Sequence, residues 1–460
     1  MDDCIALILA AGQGVRMRSN MPKVVHKLCG RPIISHIVSS AKNSGVNKCI
    51  VVIGPGGECI KEVLKDDVEY AYQEERLGTG HAVISAQNFL NDAKYALILP
   101  GDVPFIESST LQNLYKTTVN GNYAAVILSA FMDNPAGYGR IIRDDNNNVI
   151  AIVEDKDATE EQKNIKEINS AIYCFKIAAL KDALKAIDNN NAQKEYYLTD
   201  TIKKMAEKGL KIAAIPADNA EEVMGINDRV QLANAEKLLR NRIAEYWMKS
   251  GVTIMDPSSV YIDMDVKIGQ DTIIYPNNVL ENGTTIGERC TIYPNNRFSN
   301  AMIGNEVSVQ SSVILDSEVG DNTTIGPFAY LRPGTRIGKG ARIGDFVEIK
   351  NSSIGDGTKV PHLCYVGDAD VGKKVNFGCG SIIVNYDGIK KYRTTVKDNA
   401  FIGCNSNLVS PVEIGENAYI AAGSTITDKV PDGALAIARA RQVVKEGWVA
   451  KKFKKGTDGK

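Results

Sequence analysis

Between residues 268 and 426 apolar side chains return at every sixth position. One run is Ile268, Ile274, Leu280, Ile286, Ile292 and Phe298. A second is Val319, Ile325, Leu331, Ile337, Ile343 and Ile349, and a third is Ile402, Leu408, Ile414, Ile420 and Ile426. A helix repeats every ~3.6 residues and a strand every two, so neither gives this spacing. A hexapeptide repeat does: each hexad is a short strand plus a turn, and three hexads close one triangular coil. The apolar residue points into the prism, and the glycines in "KIGQD", "TIGER", "EVGDN", "RIGKG" and "EIGEN" permit its corners. The expected fold of this half is a parallel β-helix.

The register breaks after Ile383. Ile383 to Ile402 is nineteen residues, one more than three hexads, and the interval holds "NYDGIKKYRTTVKD". That segment reads as a loop pushed out of the prism, and long excursions from a regular scaffold are usually functional.

The first ~225 residues alternate strand-like and helix-like runs, which is the α/β pattern. Strand candidates are "CIALILA", "KCIVVIG", "YALILPGD", "YAAVILSA", "INSAIYCF" and "KIAAIPA"; "PIISHIVSSAKNSG" and "HAVISAQNFLNDA" are amphipathic. A doubly wound (Rossmann-like), mostly parallel sheet is expected, with ligands at the carboxyl ends of its strands. Residues 228–250 have helical spacing and read either as a connecting helix or as a core helix of the first domain. The expected division is 1–227, 228–250 and 251–460.

Charge and cysteine usage narrow the function. Lys plus Arg number 54 against 55 Asp plus Glu, which excludes a generic polyanion binder but permits a local basic pocket. The nine cysteines form no CxxC pair, so reduced thiols in a cytoplasmic protein are expected, without disulfides or a zinc site. Asp2 and Asp3 stand where a signal peptide needs Lys or Arg.

The stretch "LILAAGQGVRMRSNMPK" ends an apolar run in glycines and then carries Arg16, Arg18 and Lys23. Gly12 and Gly14 let the backbone approach a ligand, and successive N–H groups can cradle phosphate oxygens. Arg16 and Lys23 would neutralise charge on a departing pyrophosphate. A plain strand-to-helix turn with solvated cations is the alternative. The third glycine of a dinucleotide fingerprint and the Lys-Ser/Thr of a Walker loop are both missing. Asp102 ends an apolar strand in "ILPGDVP", where a carboxylate can hold Mg²⁺, and Asn227 in "VMGIND" is a second metal candidate. Gln73, Gly78 and Thr79 in "QEERLGTGHA" suit a base edge. Gly139 in "GYGRI", with Glu154 and Asn169, suits sugar hydroxyls. In the second half His362 is the only histidine, and imidazole is the side chain best suited to a general base near neutral pH.

Taken together, "LAAGQGVRM…MPK", "GTGHA", "GDVP", "GYGRI", "EYYLTD" and "GIND" resemble a sugar-1-phosphate nucleotidylyltransferase. With the hexapeptide half, nearly the whole chain is similar to the bacterial family that joins N-acetylglucosamine-1-phosphate uridyltransferase to glucosamine-1-phosphate acetyltransferase. The resemblance implies a left-handed β-helix, trimers with the acetyl-transfer site between subunits, and a place in cell-wall precursor synthesis. It implies UTP over Leu9, Ala10, Ala11 and Gly12, near Pro100 and Gly101, with uracil read by Gln73 and Gly78 and with Thr79 beside them. It implies Mg²⁺ on Asp102 and Asn227, phosphates on Lys23 and Arg16, and the sugar on Gly139, Glu154 and Asn169. It assigns His362 as the acetyl-transfer base. Arg332, Lys350, Tyr365 and Asn376 would hold the amino-sugar phosphate. Cys379, Asn385, Tyr386, Cys404, Ala422 and Arg439 would line the acetyl-coenzyme A site. No nucleic-acid or membrane partner is implied.

Two departures stand out. Ser170-Ala171 follows Asn169 where family members commonly have a small residue and then glycine, and Cys404 stands where many have serine. The basic tail "KKFKKGTDGK" reads as a solvated end or as a late contact to coenzyme A phosphate. The other functional readings are a single-activity nucleotidylyltransferase whose β-helix only assembles or regulates, and a non-catalytic regulatory subunit on the same scaffold.

Overall fold

The computed structural model describes residues 1–91 and 93–453. The chain forms two compact units, Met1–Leu239 and Arg240–Lys460. The helix Arg229–Lys249 runs through the division.

The first unit is built on a twisted sheet. Its strands are β1 (Cys4–Leu9), β2 (Lys48–Ile53), β3 (Glu69–Tyr72), β4 (Tyr95–Pro100), β5 (Ala125–Phe131), β6 (Arg140–Arg143), β7 (Val149–Val153), β8 (Glu167–Lys176) and β9 (Ile212–Pro216). The main order is β9-β5-β8-β4-β1-β2-β3, with β6 and β7 as a hairpin beside β8. The main path of the sheet is mostly parallel, as expected, with one exception: β8, from "INSAIYCF", runs antiparallel to both β4 and β5. The reason is local, because the antiparallel β6–β7 hairpin leads into β8 and no crossover helix reverses the chain. Strands β1, β2 and β4 bury almost every side chain, as a sheet covered on both faces requires. Their carboxyl ends therefore share one edge: Leu9 pairs with Val52 on one side and Pro100 on the other.

In the second unit the strands stack in three parallel faces of eleven, ten and nine among the described residues. All the residues of the three six-residue runs point inward, and none is more than 7% exposed. They meet like residues one coil on, as in Leu280↔Phe298 and Leu331↔Ile349. Truncating one such isoleucine to alanine costs roughly 2–5 kcal/mol, because the stacked coils cannot collapse into the hole. Where a glycine follows the apolar residue, as at Gly269, Gly287 and Gly338, the next coil leaves no room for a side chain. A Cβ on Gly287 would lie 2.6 Å from the backbone carbon of Gly304 in the next coil.

The break in period has a different count from the one read in the sequence. Ile383 pairs with Leu408, twenty-five positions on, whereas Tyr365 pairs with Ile382, seventeen on. Between Ile383 and Ile402 only Val396 points into the prism at hexad spacing. The interval is thus two hexads plus a seven-residue excursion, not three hexads plus one. The excursion is tied by a Tyr386–Lys391 bridge and carries Ile389 at its tip, 89% exposed. Residues 454–460 of the basic tail lie outside the described residues.

Candidate active sites

The first candidate site lies at the carboxyl edge of β1, β2 and β4. Gly101 N donates to Leu9 O at 2.9 Å and Ala10 N to Val52 O at 2.9 Å, drawing the loops after the strands together. Leu9 is half-buried, Ala10 and Ala11 are buried, and Gly12 emerges with nothing within 4 Å of its Cβ position. Gly14 has φ +63°, and a Cβ there would sit 2.8 Å from Lys23 Cβ. Glycine therefore lets the lysine stem lie against the loop. The Lys23 ammonium reaches both Asp102 Oδ2 and, at 3.0 Å, Asn227 Oδ1. Ile226 N donates to Asp102 O at 2.9 Å, fixing Asn227 next to the end of β4. Arg16 sits on the exposed turn Val15–Met17 and makes no ion pair among the described residues.

Gln73 is 3% exposed; its Nε2 donates to Gly78 O at 3.1 Å and lies 3.1 Å from His81 Nδ1. Gly78 has φ +106°, and a Cβ would fall 2.6 Å from Tyr196 O. The segment "EYYLTD" clamps this loop: Tyr196 N donates to Leu77 O, Gly80 N to Tyr196 O, and Leu198 N to Thr79 Oγ1. One residue further, Thr199 Oγ1 donates to Glu154 Oε1 at 3.0 Å, so one segment braces both the Gly78–Thr79 turn and Glu154.

Gly139, Glu154 and Asn169 converge. A Cβ on Gly139 would be 3.6 Å from both Asn169 Cβ and Glu154 Oε2, and Asn169 N donates to Gly139 O at 2.8 Å. Asn169 Nδ2 donates to Tyr173 Oη at 2.8 Å. Burial pushes the Glu154 carboxyl up, against the Thr199 hydrogen bond and with help from Asp200, Asp157 and Asp155. The Ser170-Ala171 departure falls on a register shift of β8 between Asn169 and Ile172. Ala171 is exposed there with φ +62°, and its N–H caps Asn169 Oδ1 at 3.1 Å.

Sequence reasoning missed Arg76. Its Nε donates to Ala11 O at 2.8 Å and its Nη2 to Pro55 O at 2.5 Å, tying together the loops that follow β1 and β2. The signal was a cation inside the quoted "QEERLGTGHA".

The second site is on the β-helix. His362 Nδ1 lies 2.5 Å from Asp345 Oδ1, and the two residues are register partners in adjacent coils. The histidine beside it holds the Asp345 carboxyl below its usual range. With Nδ1 engaged by a carboxylate, Nε2 is the nitrogen free to take a proton. Asp345 was not singled out from the sequence, because the pairing depends on coil register.

Coil register extends this column upward. Phe377 pairs with Ile402 and Ile402 with Ile420, so Cys379, Cys404 and Ala422 occupy matching places in successive coils above His362. Arg439, exposed, follows in the next turn with its Cδ 3.6 Å from the Cβ position of Gly423.

On the adjoining face Arg332 Nη1 donates to Glu348 Oε1 at 2.8 Å, and Lys350 Nζ lies 3.4 Å from Asp368 Oδ2. Asn385 Nδ2 donates to Asp368 Oδ2 at 2.5 Å and to Tyr365 Oη at 3.3 Å. Asn385, expected with acetyl-coenzyme A, thus touches Tyr365 and the same Asp368 carboxylate that Lys350 approaches. Burial works against the Asp368 carboxylate, yet hydrogen bonds from Asn351 and Asn385 and the Lys350 charge hold it below its usual range. Lys391, from the excursion, joins this cluster; the adjacent Lys350 pulls its ammonium below the ordinary lysine value. It too was missed, since only the loop brings it back. Asn376 pairs with Lys359 on the face of His362 and is half-buried. Tyr386 is exposed on the excursion, its hydroxyl donating to Gly388 O.

A nucleotidyl transferase family model matches residues 5–252. A bacterial transferase hexapeptide (six repeats) model matches 265–300, 316–351 and 393–428. The chain is 56% identical over 449 residues to "Bifunctional protein GlmU" of Clostridium beijerinckii, covering 97% of this chain and 98% of that one. Proteins of the same name from Acetivibrio thermocellus and Clostridioides difficile are 53% identical over 453 residues and 52% over 455. They cover 98% and 99% of this chain and the same shares of their own.

Proposed function

Because the chain belongs to the family of bifunctional GlmU proteins, we propose that it catalyses two consecutive steps toward UDP-N-acetylglucosamine. The β-helix transfers acetyl from acetyl-coenzyme A to glucosamine-1-phosphate. The α/β unit then transfers uridylyl from UTP to N-acetylglucosamine-1-phosphate, releasing pyrophosphate. The observation that carries this is the presence of two chemically distinct clusters, Lys23–Asp102–Asn227 and Asp345–His362.

In the acetyl step His362 Nε2 takes a proton from the substrate ammonium, and Asp345 holds the ring and steadies the imidazolium that forms. The freed amine attacks the thioester carbonyl, and coenzyme A leaves as its thiol. Arg332, Lys350 and Lys391 supply charge for the sugar phosphate, with Tyr365, Asn376 and Asn385 placing the ring. Cys379, Cys404, Ala422 and Arg439, with Tyr386, form the path of acetyl-coenzyme A.

In the uridylyl step no covalent residue is needed, because catalysis is positioning plus charge neutralisation. Leu9 to Gly12, Pro100 and Gly101 lie along the nucleotide. Gln73, Gly78 and Thr79 meet the base, and Gly139, Glu154 and Asn169 meet the sugar. Lys23 and Arg16 neutralise the phosphates. Asp102 and Asn227 already share one cation, the Lys23 ammonium, and a carboxylate plus an amide oxygen suits a hard ion such as Mg²⁺. Mg²⁺ bound there supplies positive charge to the triphosphate oxygens.

A trimer is the proposed assembly and the cytoplasm the proposed compartment. The arm after the last coil exposes Val443, Val444, Trp448, Val449 and Phe453 within one copy, which favours a covering partner. No described helix is long and apolar enough to cross a membrane.

The test is thiol release from acetyl-coenzyme A by purified protein, with UTP omitted. Release that depends on glucosamine-1-phosphate supports the reading. No release, with uridylyl transfer to N-acetylglucosamine-1-phosphate intact, reduces the β-helix to an assembly module.

A further inference from the structure

Cys379 and Cys404 share one column of the β-helix, and we propose that they form an oxidisable dithiol whose disulfide suspends acetyl transfer. None of the nine cysteines is in a disulfide, and six of them are buried. Of the three that meet solvent, Cys59 stands alone on the helix Glu58–Leu64, while the other two take matching positions in adjacent coils. Phe377 pairs with Ile402, and Asn405 N donates to Cys379 O at 2.8 Å, which places Cys404 directly above Cys379. Strands in one sheet lie about 4.8 Å apart, inside the Cα separation of roughly 4.4–6.8 Å that a disulfide spans. The coils press together here because Gly378 has no side chain; a Cβ on it would lie 2.8 Å from Cys404 Cα.

The oxidant is a small disulfide such as oxidised glutathione. One protein thiolate attacks it, forming a mixed disulfide and releasing one small thiol. The second protein thiolate then displaces the other small thiol and closes the Cys379–Cys404 bond. Two protein thiols are oxidised, and one small disulfide is reduced to two thiols. The bond would cross the column directly above His362. Its effect on acetyl transfer rests on the proposed path of acetyl-coenzyme A along that column.

The experiment treats the full-length protein with oxidised glutathione, maps its peptides by mass spectrometry and assays both half-reactions. A peptide pair joined through Cys379 and Cys404 is expected. Acetyl transfer should fall at least about tenfold and return with dithiothreitol, while uridylyl transfer is unchanged. Cys404→Ser, compared with its own reduced rate, should lose the sensitivity. Stable glutathione on Cys404 alone, a Cys364–Cys379 link, or a joined pair with undiminished acetyl transfer each overturns the proposal. Alkylation of the reduced protein separates the two claims. If acetyl-coenzyme A does not slow alkylation of Cys404, its proposed path is wrong; if it does and no link forms, the dithiol alone is wrong.

Discussion

His362 Nδ1 and Asp345 Oδ1 lie 2.5 Å apart although seventeen residues separate them, because one residue is directly above the other in successive coils. The repeat of the β-helix thus brings together the pair proposed for acetyl transfer. A residue that acts by holding another should leave substrate affinity alone and lower turnover. For Asp345→Asn the acetyl half-reaction should lose between tenfold and about ten-thousandfold in kcat, with little change in the KM for acetyl-coenzyme A. Steady-state kinetics of thiol release measure this. A rise in KM at unchanged kcat would make Asp345 part of the binding surface.

Ala171 occupies the left-handed region at φ +62°, exposed, on the register shift that turns Asn169 toward Gly139. A side chain at such a φ costs roughly 1 kcal/mol, which glycine does not incur. Glycine gives part of that back through the greater freedom of the unfolded chain. Ala171→Gly should raise the stability of the first unit by a few tenths to about 1 kcal/mol, read by denaturant unfolding followed on a signal from that unit. A loss of stability would place the strain elsewhere.

Burial raises the Glu154 carboxyl above its ordinary value. A carboxyl whose folded value is raised contributes stability that is fully present below its unfolded value of about 4.3 and is lost as pH rises through the folded value. Near neutrality the buried carboxylate therefore costs stability. Glu154→Gln, which keeps an acceptor for Thr199, should melt higher than the parent at pH 7, and the difference should vanish on acidification to about pH 4. Thermal unfolding across that range checks it, and a gain that persists unchanged at low pH would contradict it. Uridylyl transfer should suffer through a raised KM for the sugar phosphate.

The β-helix was legible because its period is covalent: Leu280 meets Phe298 and Leu331 meets Ile349, each three hexads on, by sequence spacing alone. The carboxyl edge of the sheet was legible for a related reason, since "ILPGDVP" and "LILAAGQG" each end an apolar run at the loop they supply. What escaped was whatever depends on direction or on register. Strand β8 has the same apolar content in either orientation, so nothing in "INSAIYCF" marks it as antiparallel. Asp345 and Lys391 reach their partners only once coil lengths are known: Phe298 meets Ile314 after sixteen positions, Asp345 meets His362 after seventeen, and the excursion after Ile383 lengthens one coil to twenty-five. The miscount there has that cause, because two hexads plus seven residues and three hexads plus one have the same length. Arg76 was overlooked for another reason: its partners are backbone carbonyls, which have no sequence identity.

Whether one chain holds two independent active sites is tested most directly by assaying both half-reactions on His362→Ala and Asp102→Ala side by side. His362→Ala should stop sugar-dependent thiol release and leave pyrophosphate release from UTP within about twofold of the parent, and Asp102→Ala should do the reverse. A single substitution that silences both reactions in a folded protein, or acetyl transfer undiminished without His362, would contradict the account.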